Sequence, residues 1–191
     1  MLQSYSLNNE EKKFCIRLAR DSIAHYFEKG SLFEIEEGAV PEKLREKKAC
    51  FVTLAINGSL RGCIGHLEAT QPLYTDIIQN AVASAFQDPR FSPLTQQEFP
   101  GVKVEVSVLT DPVAVSISSP ESLLEKIIPG KHGIILRKGY NSATFLPSVW
   151  DEIREKEDFL GHLCVKAGLA ADEWRKPGMK VFFYEAIKAK E

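Results

Sequence analysis

An α+β fold built on antiparallel strands is what this sequence predicts, and three observations carry the prediction. Strand and helix signals come in clusters, with no regular βαβ alternation. Asn57-Gly58 lies between two β-rich runs, the favoured two-residue hairpin turn. Val102, Val104, Val106 and Val108 alternate with Lys103, Glu105 and Ser107, the period of a strand with one buried face. Two strand-rich clusters, about 49–109 and 132–187, predict two interlocked subdomains within a single domain spanning 1–191.

The elements follow in order. Over 8–29 the apolar-side positions Phe14, Cys15, Leu18, Ser22, Tyr26 and Phe27 recur at helical spacing, with Asn8 and Glu11 placed as a capping box and Gly30 as the stop. A charged stretch runs to Lys48, then ACFVTLAI, NG and SLRGCIG form the hairpin. A helix is predicted over 72–87, with Pro72 near its first turn and Asp88-Pro89 ending it. The valine-rich strand follows, then a short helix opened by Ser119-Pro120-Glu121 and reaching about Ile127. HGIILR and SATFL predict a second hairpin across 138–141. Helices are predicted over 147–154 and 157–167, the latter ending at Gly168, and a single last strand over 179–187.

Composition excludes several classes. At 191 residues, a folded chain buries roughly 70% of its unfolded surface, and 44% apolar with 26% charged residues argues against disorder or a fibrous architecture. The 24 basic and 26 acidic side chains leave a net charge of −2 with no basic run, so nucleic acid is a poor partner. The polar opening to Lys13 does not read as a signal peptide, and no apolar stretch approaches the roughly 20 residues of a membrane span. A cytoplasmic protein is expected. Cys15, Cys50, Cys63 and Cys164 are far apart and form no CxxC, which speaks for free thiols and against a zinc ribbon or dithiol pair. Nothing in the sequence asks for a cofactor.

If Asn57 and Gly58 are the turn residues, Cys63 should face Val52, Arg61 should face Leu54, and Cys50 should face Gly65. Alternation then puts Val52, Leu54, Ile56, Arg61 and Cys63 on one side of the hairpin. A thiol and a guanidinium among apolar neighbours admit two readings. In one they form a site for an anion or reactive carbonyl, with Gly62 and Gly65 permitting close approach. In the plainer one Arg61 reaches solvent and Cys63 is a small core residue.

The segments FVTLAINGSLRGCIGHLEATQPL, DPRFSPL, VEVSVLT, HGIILRKGYNSATFLPSVW, EDFLGHLCVKAGL and VFFYEAI, in this order, resemble the AMMECR family, whose prokaryotic members are also called AmmeMemoRadiSam system protein A. The resemblance runs from about Phe51 to Glu185, and LRGCIG at 60–65 is its specific signature. It implies two subdomains around a bent, partly barrel-like antiparallel sheet, with the signature strand near a cleft. It implies no settled activity, but an association with a Memo-type protein and a radical SAM protein. Arg61, Gly62, Cys63 and Gly65 fall on the signature, Asp88, Pro89 and Arg90 on a second motif, and His132 on a third, while His66 stands where threonine is more usual.

Two function classes follow, with a nucleic-acid binder as a third that the acidic net charge makes weaker. In the first, Cys63 is a nucleophile or thiol ligand in an enzyme or enzyme component, His132 is its general base, and Arg61 and Arg90, with Gly62, Gly65 and Asp88, hold a small anionic or carbonyl substrate. In the second, the same surface docks the Memo-type or radical SAM protein without chemistry. Plainer roles stand beside these: His132 satisfied by backbone near Pro129-Gly130, Arg90 at a helix end, and Asp88 turning the chain. Cys63 and His66 have CxxH spacing, but residues three apart in a strand point to opposite faces, so no metal site is expected.

Overall fold

A computed structural model describes residues 5–191. Its strands are β1 (Cys50–Ile56), β2 (Ser59–Gly65), β3 (Val102–Leu109), β4 (Val113–Val115), β5 (Gly133–Lys138), β6 (Asn141–Phe145), β7 (Lys180–Tyr184) and β8 (Ala186–Lys190). Its α-helices are α1 (Asn9–Lys29), α2 (Leu73–Phe86), α3 (Pro120–Lys126) and α4 (Lys156–Lys166). The α+β class is as the sequence predicts, with every described strand pairing antiparallel. The strands divide into two sheets of order β2-β1-β3-β8 and β4-β7-β5-β6, and neither closes into a barrel. No described helix is long and apolar enough to cross a membrane.

One compact unit contains residues 5–109 together with Ile187–Glu191. In it α1 starts at the anticipated capping box, Asn8 accepting from Glu11 N–H while the Glu11 carboxylate accepts from Asn8 N–H, and Gly30 ends it in the left-handed conformation that a glycine tolerates. The buried face of α1 (Cys15, Leu18, Ala19, Ser22 and Ile23) and the apolar side of α2 pack over Val52, Leu54 and the four alternating valines of β3.

The other unit contains Thr110–Ala186. Its core joins Ile134, Leu136 and Val181 to Leu123, Trp150, Phe159, Leu160 and Leu163, with the Trp150 and Phe159 rings stacked 3.7 Å apart. Helix α3 opens with a Ser119–Ser122 capping box. The helix expected over 147–154 is a single 3-10 segment, Pro147–Asp151. The single last strand expected over 179–187 is two, β7 and β8, which belong to different sheets. The break falls at Glu185, whose N–H donates to Thr110 Oγ1 and whose carbonyl accepts from Thr110 N–H, so its ladder contacts go to a loop residue.

Candidate functional site

The hairpin expected from Asn57-Gly58 forms, with Asn57 at a positive φ of 52°. Its register matches expectation only next to the turn, where Ile56 faces Ser59 and Ala55 faces Leu60. The ladder then slips by one residue at Arg61, so that Leu54 faces Gly62, Thr53 faces Cys63, Val52 faces Ile64 and Phe51 faces Gly65. Arg61 is the extra residue of a β-bulge, and one extra residue sends every later side chain to the opposite face. The expected grouping of Cys63 with Val52 and Leu54 is therefore corrected. Gly62 and Ile64 share the core side with them, and Cys63 stands beside Thr53, its Sγ 3.2 Å from Thr53 Oγ1.

Helix α2 explains one glycine and strand β1 the other. A Cβ added to Gly62 would run into the Ser84 carbonyl, and one added to Gly65 would meet the Cys50 carbonyl and the Phe51 ring. The room that these glycines leave is occupied by the protein itself. Along α2 and just beyond it, Asp76, Asn80, Ser84 and Asp88 recur every four residues, a polar row on a mainly apolar helix. Asp76 accepts from Cys50 N–H at 2.8 Å, and Asn80 donates to the Cys50 carbonyl at 3.2 Å. Ser84 Oγ donates to the Val52 carbonyl at 2.7 Å and accepts from Ile64 N–H at 2.9 Å. Asp88 completes the row by accepting from Cys63 N–H at 2.8 Å. Interleaved with aliphatic residues, this four-residue repeat was available in the sequence and passed unused.

Asp88 and Arg90 together take the place of a neighbouring strand at Cys63. The Asp88 side chain is 2% exposed, and it accepts from Arg90 Nη2 at 2.7 Å, Arg90 Nε at 3.0 Å and Arg90 N–H at 3.1 Å. Arg90 Nη2 also reaches the Cys63 carbonyl at 3.3 Å. The Arg90 guanidinium, aided by the Cys63 and Arg90 backbone N–H groups, holds the Asp88 carboxyl far below the usual carboxylate range against the opposing effect of burial. Half of the Arg90 side chain, 54%, remains exposed.

Arg61 does different work. It donates to Glu98 through Nε at 2.9 Å and Nη2 at 3.2 Å, and to the carbonyls of Ser92 and Pro93. The Arg61 bonds to Glu98, with those from Thr95, pull the Glu98 carboxyl down to about 2. Both guanidinium groups lie against the Phe91 ring, at 5.9 Å and 5.5 Å, so Arg61 and Arg90 clamp the segment 88–98 to β2.

Cys63 is partly exposed, whereas Cys15, Cys50 and Cys164 are buried. Burial pushes the Cys15 thiol up to about 12 and also raises Cys50 and Cys164. His132 belongs to the other unit. It is 6% exposed, its Nδ1 accepts from Ile128 N–H at 3.2 Å, and its ring stacks on Phe183 at 4.5 Å. Because Nδ1 accepts, the ring proton sits on Nε2, and burial lowers the imidazole's proton affinity further. His66 turns toward α2, its Nδ1 2.6 Å from Asp76 Oδ1, while Cys63 faces Thr53.

Comparison with known proteins agrees on one family. The AMMECR1 family model matches residues 16–189. A protein of Methanopyrus kandleri is 43% identical over 188 residues, covering 94% of this chain and 88% of its relative. One of Methanocaldococcus jannaschii is 40% identical over 187 residues, covering 94% and 90%. The crystal structure of an uncharacterized protein from Pyrococcus horikoshii superposes with a TM-score of 0.84 at 37% identity, covering 96% of this chain and 93% of that one.

Proposed function

Since the chain belongs to the AMMECR1 family, whose relatives described above carry no activity in their names, we propose from the site itself that it is an enzyme or enzyme component whose working group is the Cys63 thiol. One observation carries this reading: the partly exposed thiol of the four sits on a strand whose backbone is clamped by the Asp88–Arg90 pair, with a half-exposed guanidinium beside it. A nucleophile is useful when its position is fixed and a cation is near to favour its anion and hold a substrate's negative group. The substrate is a small anionic or carbonyl compound, attacked by Cys63 and oriented by the outward N–H groups of Arg90. Arg61, already committed to Glu98, Ser92 and Pro93, secures the clamp. His132 takes no part in this reaction, since its Nδ1 is engaged by Ile128 N–H.

The competing reading is a docking surface for a Memo-type or radical SAM protein, as the family resemblance implies. Iodoacetamide labelling of the native protein, read peptide by peptide, should modify Cys63 and spare Cys15, Cys50 and Cys164. Cys63→Ser should fold with an unchanged melting temperature and lose turnover of any carbonyl or acyl substrate found by screening. A Cys63 as inert as Cys15, or a Cys63→Ser variant with full turnover, would sink the thiol reading and leave docking.

A further inference from the structure

The bulge at Arg61 does more than move Cys63 off the core face: it chooses the residue that the thiol meets. The Cys63 N–H donates to Asp88 and its carbonyl accepts from Arg90, so both backbone groups point away from β1. Thr53 and Cys63 are therefore a non-hydrogen-bonded pair of the antiparallel ladder, the kind in which facing side chains come closest. Without the bulge the same thiol would face Val52, which has no polar atom to offer. With it, Thr53 Oγ1 lies 3.2 Å from Sγ, inside the range of a sulfur hydrogen bond. A hydroxyl can donate to a thiolate, and donation to the charged form favours that form. Thr53 is also partly exposed, so the pair sits where a substrate could reach it.

On the reading of Cys63 as the working thiol, we propose that Thr53 is its positioning residue, the hydroxyl donating to Sγ and so fixing the sulfur and favouring its thiolate. The role needs the oxygen and not the β-branched shape. Threonine at this position is then a functional choice within a strand where valine would serve β-structure equally well.

The test is the pH dependence of iodoacetamide alkylation at Cys63 in the intact protein and in Thr53→Val, Thr53→Ser and Thr53→Ala. Buried Cys15 and Cys164 serve as internal reporters of folding. Loss of the hydroxyl in Thr53→Val should move the midpoint of the rate profile up by about half to one pH unit, the size of one modest hydrogen bond. Thr53→Ser should restore the original midpoint. If Cys15 becomes reactive in Thr53→Val, that variant has loosened, and Thr53→Ala is read in its place against Thr53→Ser. A Cys63 that reacts with the same midpoint in all folded variants overturns the role of Thr53 while leaving the thiol reading standing. A Cys63 inert in the unaltered protein overturns both.

Discussion

Asp88 shows how much one side chain can decide. Four hydrogen bonds converge on its carboxylate, one from the strand it steadies and three from Arg90. A carboxyl held below its usual range in the folded protein contributes stability above the unfolded value, near pH 3.9, and loses it progressively as pH falls toward the lower folded value. Glu98, pulled down to about 2 by Arg61, acts in the same direction. The melting temperature should therefore fall steeply below about pH 4. Asp88→Asn should flatten this acid limb and cost about 1–3 kcal/mol at neutral pH, because Arg90 and the Cys63 N–H lose a charged acceptor. Thermal unfolding of both proteins between pH 2 and 7 measures the effect; parallel acid limbs would mean that Asp88 contributes nothing through its charge. Cys63→Ser belongs to the same scale, as a one-atom change that should leave folding alone and remove reactivity.

At the scale of elements, α2 and the hairpin are fitted to each other. The helix carries its polar side chains at four-residue spacing so that Asp76, Asn80 and Ser84 meet backbone groups of β1 and β2 and hold the helix to both strands. The hairpin answers with a bulge that presents Gly62, and not Cys63, to the helix. These two features depend on each other: a side chain at Gly62 would displace the Ser84 carbonyl, and with it the Ser84 bonds to both strands. Gly62→Ala should accordingly destabilise the protein by about 2–3 kcal/mol, at the upper end for overpacking. Urea unfolding would detect this, and a variant as stable as the parent would show that α2 can move away at little cost. The motif LRGCIG thus divides by what its residues touch: its glycines serve packing, its arginine holds a loop, and its cysteine stands partly exposed beside Thr53.

Across the whole molecule, the last residues rejoin the unit that holds residues 5–109. After Thr110–Ala186 has formed a unit of its own, β8 adds the fourth strand to the first sheet by pairing with β3. Ala189 is buried there, Ile187 packs on the same core, and Glu191 binds Arg20 at 2.5 Å. Removing β8 would bare the edge of β3, a strand with one strongly apolar face, and open a template for intermolecular pairing. A chain ending at Glu185 should melt several degrees lower and scatter light on warming where the intact protein does not. Unchanged melting with no scattering would show that β8 merely decorates the sheet.

The sequence by itself determined the elements whose signals are local. The capping box of α1, the Asn57-Gly58 turn, the valine alternation of β3 and the Ser119 cap of α3 all depend on residues within a few positions of one another. Their shared antiparallel α+β class followed from the same signals. The sequence also marked the strand that bears Cys63. Tertiary structure alone decided which way that strand faces. Turn chemistry sets register only up to the first irregularity, and the bulge at Arg61 answers to a carbonyl on α2 more than twenty residues away. For the same reason the split of the last strand at Glu185 was hidden, since its cause is a pair of hydrogen bonds to Thr110. A neighbour in sequence can be read from the sequence. The partner of Cys63 was chosen by packing.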